Sequence, residues 1–260
     1  MRYPELLRQI VLPIGDLIFN TSFSRNLRQV RSLNNKNYQK LENIQKNRLK
    51  DLLEYASKYS DYYGSLNVKE EENPFDWVKK FPVLDKKILR EATPQLLTCQ
   101  KNRLKGLSSS GSSGYQSTVY LNNEELSLYW ANQINWWEWS GYHIGDSMIQ
   151  MGVNPQRGLL RRLKDSFFRV IYINSFSLSE TEIVDILKTA KRKKINYLCG
   201  YSSSLNLFAL IAKKHKISGV HFKGVISLGE TMVETYRSNI REIFQCPVFE
   251  TYGSGEGILI

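Results

Sequence analysis

Histidine is nearly missing from this chain: His143, His215 and His221 are the three present, and they stand far apart. A metal centre built on imidazoles therefore has little to draw on. Cysteine is as sparse. Cys99, Cys199 and Cys246 are odd in number and show no C-x-x-C spacing, which fits buried or incidental thiols in a reducing, cytoplasmic setting rather than a disulfide framework. Long apolar runs are also lacking. Residues 6–19, LLRQIVLPIGDLIF, come nearest, but Arg8, Pro13, Gly15 and Asp16 interrupt them. Neither a membrane-spanning helix nor a clean signal peptide follows. Burial against the domain is the expectation for this stretch, with a peripheral membrane contact as the other reading. Carboxylates are in deficit, 25 Asp and Glu against 36 Lys and Arg, for a net charge of +11. The cations are spread along the chain, and the local run Lys191 to Lys194 falls on a helix end, where cations suit the dipole. Nucleic acid is therefore not the expected partner; an anionic small molecule accounts for the charge as well.

What is present is enough to fold. The 260 residues, 42% apolar and 12% aromatic, can bury a full core. The chain is organised around Leu107 to Tyr120, LSSSGSSGYQSTVY, with five serines and two glycines between Ser108 and Gly114. Small hydroxylated residues and glycines suit a loop whose backbone N–H groups converge on an anion. Gly/Ser composition alone also describes a linker, but this loop lies inside ordinary globular sequence and runs straight into a strand pattern, Ser117 to Leu121. It is not a Walker loop. Gly106 and Gly111 have the G-x-x-x-x-G spacing, but Ser112 and Ser113 follow where Lys and Ser/Thr are required.

Along the chain, Leu41, Ile44, Leu49, Leu52, Leu53 and Ala56 draw one apolar stripe on a long helix from Tyr38 to Tyr63, closed by Gly64 and Asn67. After Pro74 come a short helix, a Pro-marked turn and a helix capped by Asp85. Asn123 to Ser140 reads as a helix with Trp130, Ile134 and Trp137 on one face, ended by Gly141. Strands are expected at 146–153, 169–174, 195–199, 220–228 and 248–251, and helices at 179–193, 205–214 and 230–244. This alternation predicts an α/β fold: N-terminal helices, then a largely parallel sheet flanked by helices. Ligands of such sheets bind beyond the carboxyl ends of the strands. The turns at Gly200, at Gly229-Glu230 and at Tyr252 to Glu256 each directly follow a predicted strand.

Together these loops resemble a family. SSGSSGYQS (Ser109 to Ser117) is similar to the phosphate-binding loop of adenylate-forming enzymes, in the form without a final lysine found in the phenylacetate–coenzyme A ligase-like branch. TYGSGEG (Thr251 to Gly257) resembles the family's aromatic-Gly-x-x-Glu motif. GYSSSLNLFA (Gly200 to Ala209) and ISLGETM (Ile226 to Met232) resemble two intervening turn motifs, and LLEYASKYSDYYGSL and FPVLDKKILRE its N-terminal helices. The N-terminus further resembles members associated with capsular polysaccharide biosynthesis, within the coenzyme synthetase branch.

The resemblance implies the front part of an adenylate-forming (AMP-binding) large domain, with residues 1–102 as its N-terminal helical region and 103–260 as the α/β nucleotide-binding part. The activity it implies is ATP-dependent activation of a carboxylic acid to an acyl-adenylate, with coenzyme A as one candidate acceptor. By the same resemblance Ser109, Ser110, Gly111, Ser112, Ser113 and Gly114 hold the ATP phosphates. Gly229 and Glu230 lie along the adenine, Tyr252 stacks on it beside Gly253, and Glu256 is the catalytic Mg²⁺ ligand. The chain departs from the family's pattern at Gly255, where a hydroxyl is usual. It also lacks the ribose-binding aspartate, the hinge and the C-terminal domain with its catalytic lysine. The isolated chain is therefore expected to be incomplete or inactive, a truncation served by a missing C-terminal domain or a separate chain. Two other readings stand beside this one. One is a non-catalytic nucleotide-binding remnant or subunit completed by another chain. The other is a serine hydrolase using the Gly200-Tyr201-Ser202 turn, although Ser204 replaces the second glycine of G-x-S-x-G.

Overall fold

The computed structural model describes residues 3–108, 117–152 and 158–253, the side chain of Leu160 excepted. The chain divides into two compact units. One unit, made of the described residues between 19 and 131, is mainly helical. Its longest helix, Tyr38–Tyr59, starts where the Asn37 side chain accepts from the Lys40 amide, and is followed by a short helix, Asp61–Ser65, capped by Ser60. The predicted apolar stripe is only partly covered: Leu53 is buried, whereas Leu41 and Leu52 are exposed. The expected Asp85 cap is present, its carboxylate accepting from the Ile88 amide at 2.7 Å. Two short strands, β1 (Lys105–Ser108) and β2 (Thr118–Leu121), pair antiparallel with Ser108 opposite Thr118. Their hydroxyls meet at 2.8 Å. This ribbon brackets the Ser/Gly loop, whose residues 109–116 lie outside the described ones.

The second unit comprises residues 3–18 and 132–253 and is built on a five-stranded sheet. In chain order its strands are β3 (Met148–Gly152), β4 (Val170–Asn174), β5 (Tyr197–Tyr201), β6 (Gly224–Leu228) and β7 (Val248–Glu250). They lie in the order β4-β3-β5-β6-β7, and every pairing is parallel. Parallel strands need long crossovers, and the helices Leu159–Phe167, Glu180–Lys193, Ser202–Lys214 and Glu234–Phe244 supply them. The predicted α/β fold is thus present.

The central strands are buried on both faces, as a sheet covered on both sides requires. Alternation sorts their residues. Ile149, Met151, Leu198 and Val225 join a core with Ile183 and Leu187, Leu205 and Phe208, and Ile240 and Phe244 from three of the helices. Met148, Tyr197, Cys199 and Ile226 point the other way, onto Trp137 and Tyr142. The second core is dry enough to suppress ionisation: burial pushes the Cys199 thiol well above its ordinary range and lifts the Tyr197 phenol to about 12. Of the expected tryptophan face, Trp137 is buried but Trp130 is 45% exposed. Local signals place the helices. At Ser179 a capping box operates both ways: the hydroxyl accepts from the Glu182 amide at 3.3 Å, and the Glu182 carboxylate accepts from the Ser179 amide at 2.8 Å. Lys194 ends that helix in the left-handed region at φ 49°.

Candidate functional site

The order of the strands reverses at β3. The chain leaves it toward β4 on one side and returns to place β5 on the other, so β3 and β5 flank a topological switch point. The residues just beyond the carboxyl ends of β4 to β7 are therefore the candidate site. They are Ser175-Phe176, Ser202-Ser203, Gly229-Glu230 and Thr251 to Gly253.

The β5 edge has no loop at all. The expected turn at Gly200 is absent: Gly200 and Tyr201 still belong to the strand, and the helix begins at Ser202. Gly200 is needed because a Cβ there would lie 2.8 Å from Met151 Cβ across the β3–β5 pair. The helix has no cap of its own. Its cap comes from the next crossover: the Glu230 carboxylate accepts from the Ser203 amide at 2.9 Å and from the Ser203 hydroxyl at 2.7 Å. A carboxylate at this end satisfies an orphan donor and complements the helix dipole. Gly229 makes the reach possible with φ +66°, a conformation other residues enter only under strain.

Beneath that turn, hydroxyls lace three strand ends together. Ser202, fully buried, donates to the Glu230 carbonyl at 3.0 Å and lies 2.7 Å from the Ser227 hydroxyl. With the Ser202 proton committed to the carbonyl, Ser227 is the donor to Ser202. Thr251 in turn donates its amide and its hydroxyl to the Ser227 carbonyl, at 3.0 and 2.8 Å. At the β7 end Arg237 bonds the Val248 carbonyl at 3.0 Å and pairs with the Glu250 carboxylate.

This geometry does not make a nucleophile elbow of Ser202. Its hydroxyl is enclosed, and the histidines sit at the other ends of the strands. His143 precedes β3, and His215 and His221 precede β6. His215 bonds Glu180 at 2.5 Å from the far end of the helix Ser202–Lys214, roughly 20 Å away at ~1.5 Å per residue.

The described members of the sequence-derived site come together at this edge. Gly229 and Glu230 follow β6, and Tyr252 and Gly253 follow β7, with Tyr252 74% exposed. Ser109 to Gly114 and Glu256 lie outside the described residues. Sequence reasoning passed over Phe176. It stands beyond β4, exposed, with its ring 5.3 Å from that of Tyr201. Its position directly after a predicted strand was the available signal. Burial, with Tyr172 and Glu230 nearby, raises the Tyr201 phenol above its ordinary value, so it stays protonated. Among the described residues no cluster of three or more His, Cys, Asp or Glu can hold a metal. Glu230 is engaged by Ser203 and Glu250 by Arg237, so the Mg²⁺ expectation rests with Glu256.

No family model matches the chain. Among curated proteins it is similar to Protein CapK of Staphylococcus aureus, 21% identical over 229 residues that cover 82% of this chain and 50% of that protein. Among solved structures it is similar to a 2-hydroxyisobutyryl-CoA ligase in complex with 2-HIB-AMP and CoA in the thioesterification state. That match has TM-score 0.62 and 15% identity, and covers 84% of this chain and 50% of the other. An open conformation of that ligase with the same ligands gives TM-score 0.59 and 16% identity over 80% of this chain and 49% of the other. The chain thus spans about half the length of the proteins it matches. At these identities the likeness is one of fold: the α/β fold of adenylate-forming acid–CoA ligases.

Proposed function

We propose that this chain carries nucleotide-binding elements of an adenylate-forming site that activates a small carboxylic acid with ATP. The observation that supports the reading most is the placing of Gly229-Glu230, Tyr252 and Phe176 beyond the carboxyl ends of one parallel sheet. Tyr252 offers an exposed ring on which an adenine can stack, while the Gly229-Glu230 turn presents backbone along its edge. In this reading the Glu230 carboxylate holds the turn, leaving its main chain to meet the base. Ser109 to Gly114 keep the phosphate role, and Glu256 the Mg²⁺ role, that the family resemblance implies. Mg²⁺ would neutralise charge on departing pyrophosphate.

The finer assignments belong to the same proposal. Coenzyme A or another acceptor takes the acyl group, surface polysaccharide biosynthesis in the cytoplasm is the setting, and residues 1–102 and 103–260 are the helical and nucleotide-binding regions. Since the chain spans about half of its relatives, the remaining catalytic groups are assigned to a C-terminal domain or a separate chain. That same half-length coverage favours, as second reading, nucleotide binding without turnover.

Calorimetric titration with ATP tests the reading. Tyr252→Ala should weaken binding about tenfold, as loss of one base–aromatic stack worth ~1–3 kcal/mol does, while leaving the thermal midpoint unchanged because the ring is exposed. Equal ATP affinity in the variant removes the adenine assignment. ATP–pyrophosphate exchange with a panel of small acids then separates the two readings, since only an activating enzyme returns label to ATP.

A further inference from the structure

Two helical stretches of the sheet-bearing unit expose apolar stripes. In the helix Leu159–Phe167, Leu159, Leu163 and Phe167 recur at i, i+4, i+8 and are 43 to 73% exposed. In the N-terminal stretch, Ile10, Ile14, Leu17 and Ile18 recur at i, i+4, i+7, i+8 and are 44 to 84% exposed. Such spacing normally faces a core. Leu7, earlier in the same stretch, does: it is fully buried, packed so closely that a Cβ on Gly145 would meet it. The two stretches are joined where Tyr3 donates its hydroxyl to the Phe167 carbonyl at 2.5 Å, with the two rings edge to face at 6.3 Å.

The charges bordering the stripe of the helix Leu159–Phe167 are positive. Arg161, Arg162 and Lys164 are exposed on the helix Leu159–Phe167, with Arg162 and Lys164 on either border of its apolar stripe. Arg169 follows, its guanidinium 6.0 Å from the Tyr3 ring centroid. Arg162, Arg169 and Lys193 line one open cleft beside them, together with the single carboxylate Asp165. The carboxylates Asp16 and Asp165 fall, at 100° per residue, on the opposite sides of their helices from the stripes.

We infer that this unit docks on an anionic lipid surface through the stripe Leu159-Leu163-Phe167 and the stripe Ile10-Ile14-Leu17-Ile18, with Arg162, Lys164 and Arg169 meeting the headgroups. An apolar stripe bordered by cations is the pattern of a helix lying in the membrane interface. Among the described residues no helix is long and apolar enough to cross a membrane, so the contact is with the surface. A second copy of this chain is the poorer occupant. A symmetric interface sets each patch against its own image, which would bring these cations against one another. The inference stands apart from the proposed activity, since none of these residues belongs to the candidate site.

Co-sedimentation of the full chain with vesicles of phosphatidylglycerol in phosphatidylcholine, against phosphatidylcholine alone, tests it. Binding is expected to the anionic vesicles and to fall with added salt. The pair Arg162→Gln with Lys164→Gln should lower partitioning roughly 30-fold, from about 1 kcal/mol per cation at an anionic surface. The pair Leu159→Ser with Leu163→Ser should lower it roughly tenfold or more. Both pairs alter exposed side chains, so circular dichroism should show unchanged folding. Failure to bind the anionic vesicles, or binding unaffected by either pair, overturns the inference. Concentration-dependent dimerisation by light scattering, lost in the leucine pair, would assign the face to a second copy and overturn it equally.

Discussion

Removing one buried hydroxyl tests whether the Ser202–Ser227 pair is a structural latch. In Ser202→Ala the helix keeps its residue preference and loses little apolar burial, so the change isolates the hydrogen bonds. The Glu230 carbonyl loses its 3.0 Å donor, and the Ser227 hydroxyl, itself buried, loses its 2.7 Å acceptor. A buried group left without a partner costs about 1–3 kcal/mol, whereas removing both partners together is nearly neutral. Ser202→Ala alone should therefore destabilise by ~1–3 kcal/mol, and Ser227→Ala by a similar amount. The double variant should cost clearly less than the two together, with a coupling of about 1 kcal/mol or more. Urea melts followed by circular dichroism read this directly, as a shifted midpoint with unchanged slope. In a thermal melt the single variant should shift by ~2–4 °C per kcal/mol. Additive single effects, or a neutral Ser202→Ala, would refute the latch. A serine-reactive fluorophosphonate should leave the native chain unlabelled, because the hydroxyl is enclosed and its proton committed. Labelling at Ser202 would revive the hydrolase reading.

Two further outcomes follow from the same edge and from the helix ends. Gly200→Ala places a methyl 2.8 Å from Met151 Cβ, too close for a flexible tip to yield, and should cost ~1–3 kcal/mol as overpacking; an unchanged melting midpoint would show that β3 and β5 are looser than their pairing implies. Glu180 is held below the usual carboxylate range, chiefly by its hydrogen bond from Lys214 and then by His215. Since its pKa is lower folded than unfolded, its contribution is present above the unfolded value and lost as pH falls through the folded one. Glu180→Gln should accordingly be less stable than the parent at neutral pH and indistinguishable from it below the folded value. A difference that persists or widens in acid would contradict the sign.

Much of this was legible in the residues because the signals are local. Ser179 and Glu182 announce a helix start three residues apart, Asp85 another, and Gly141 ends a helix with φ +83°. The run Tyr197-Leu198-Cys199 marks a strand buried on both faces, although the glycine after it reads as a turn where the strand in fact continues to Tyr201. What escaped depends on partners distant in sequence. Lys105–Ser108 has no alternating pattern and is a strand because Thr118–Leu121 pairs with it. Ile195 and Val220 were expected inside strands, but lie before β5 and β6, buried by the core rather than by the ladder. In the candidate site, glycines and an aromatic could be picked out by their place after strands. The Glu230 cap on Ser203 could not, since it joins residues from successive crossovers. Nor could the exposure of the Leu159-Leu163-Phe167 stripe be read, because periodicity reports a face and not what covers it.

The strand order also determines how the sheet can be assembled. β4 joins one free edge of β3, β5 the other, and β6 and β7 then extend from β5. No strand has to be threaded between two that are already paired. Every step is an addition at an open edge, and all but one are made by a segment that has just left its neighbour through a single helix. Only the pairing of β5 with β3 passes over an intervening strand. Loop-closure entropy is thus met in small instalments, and a chain emerging gradually can lay down its sheet in the order in which it appears.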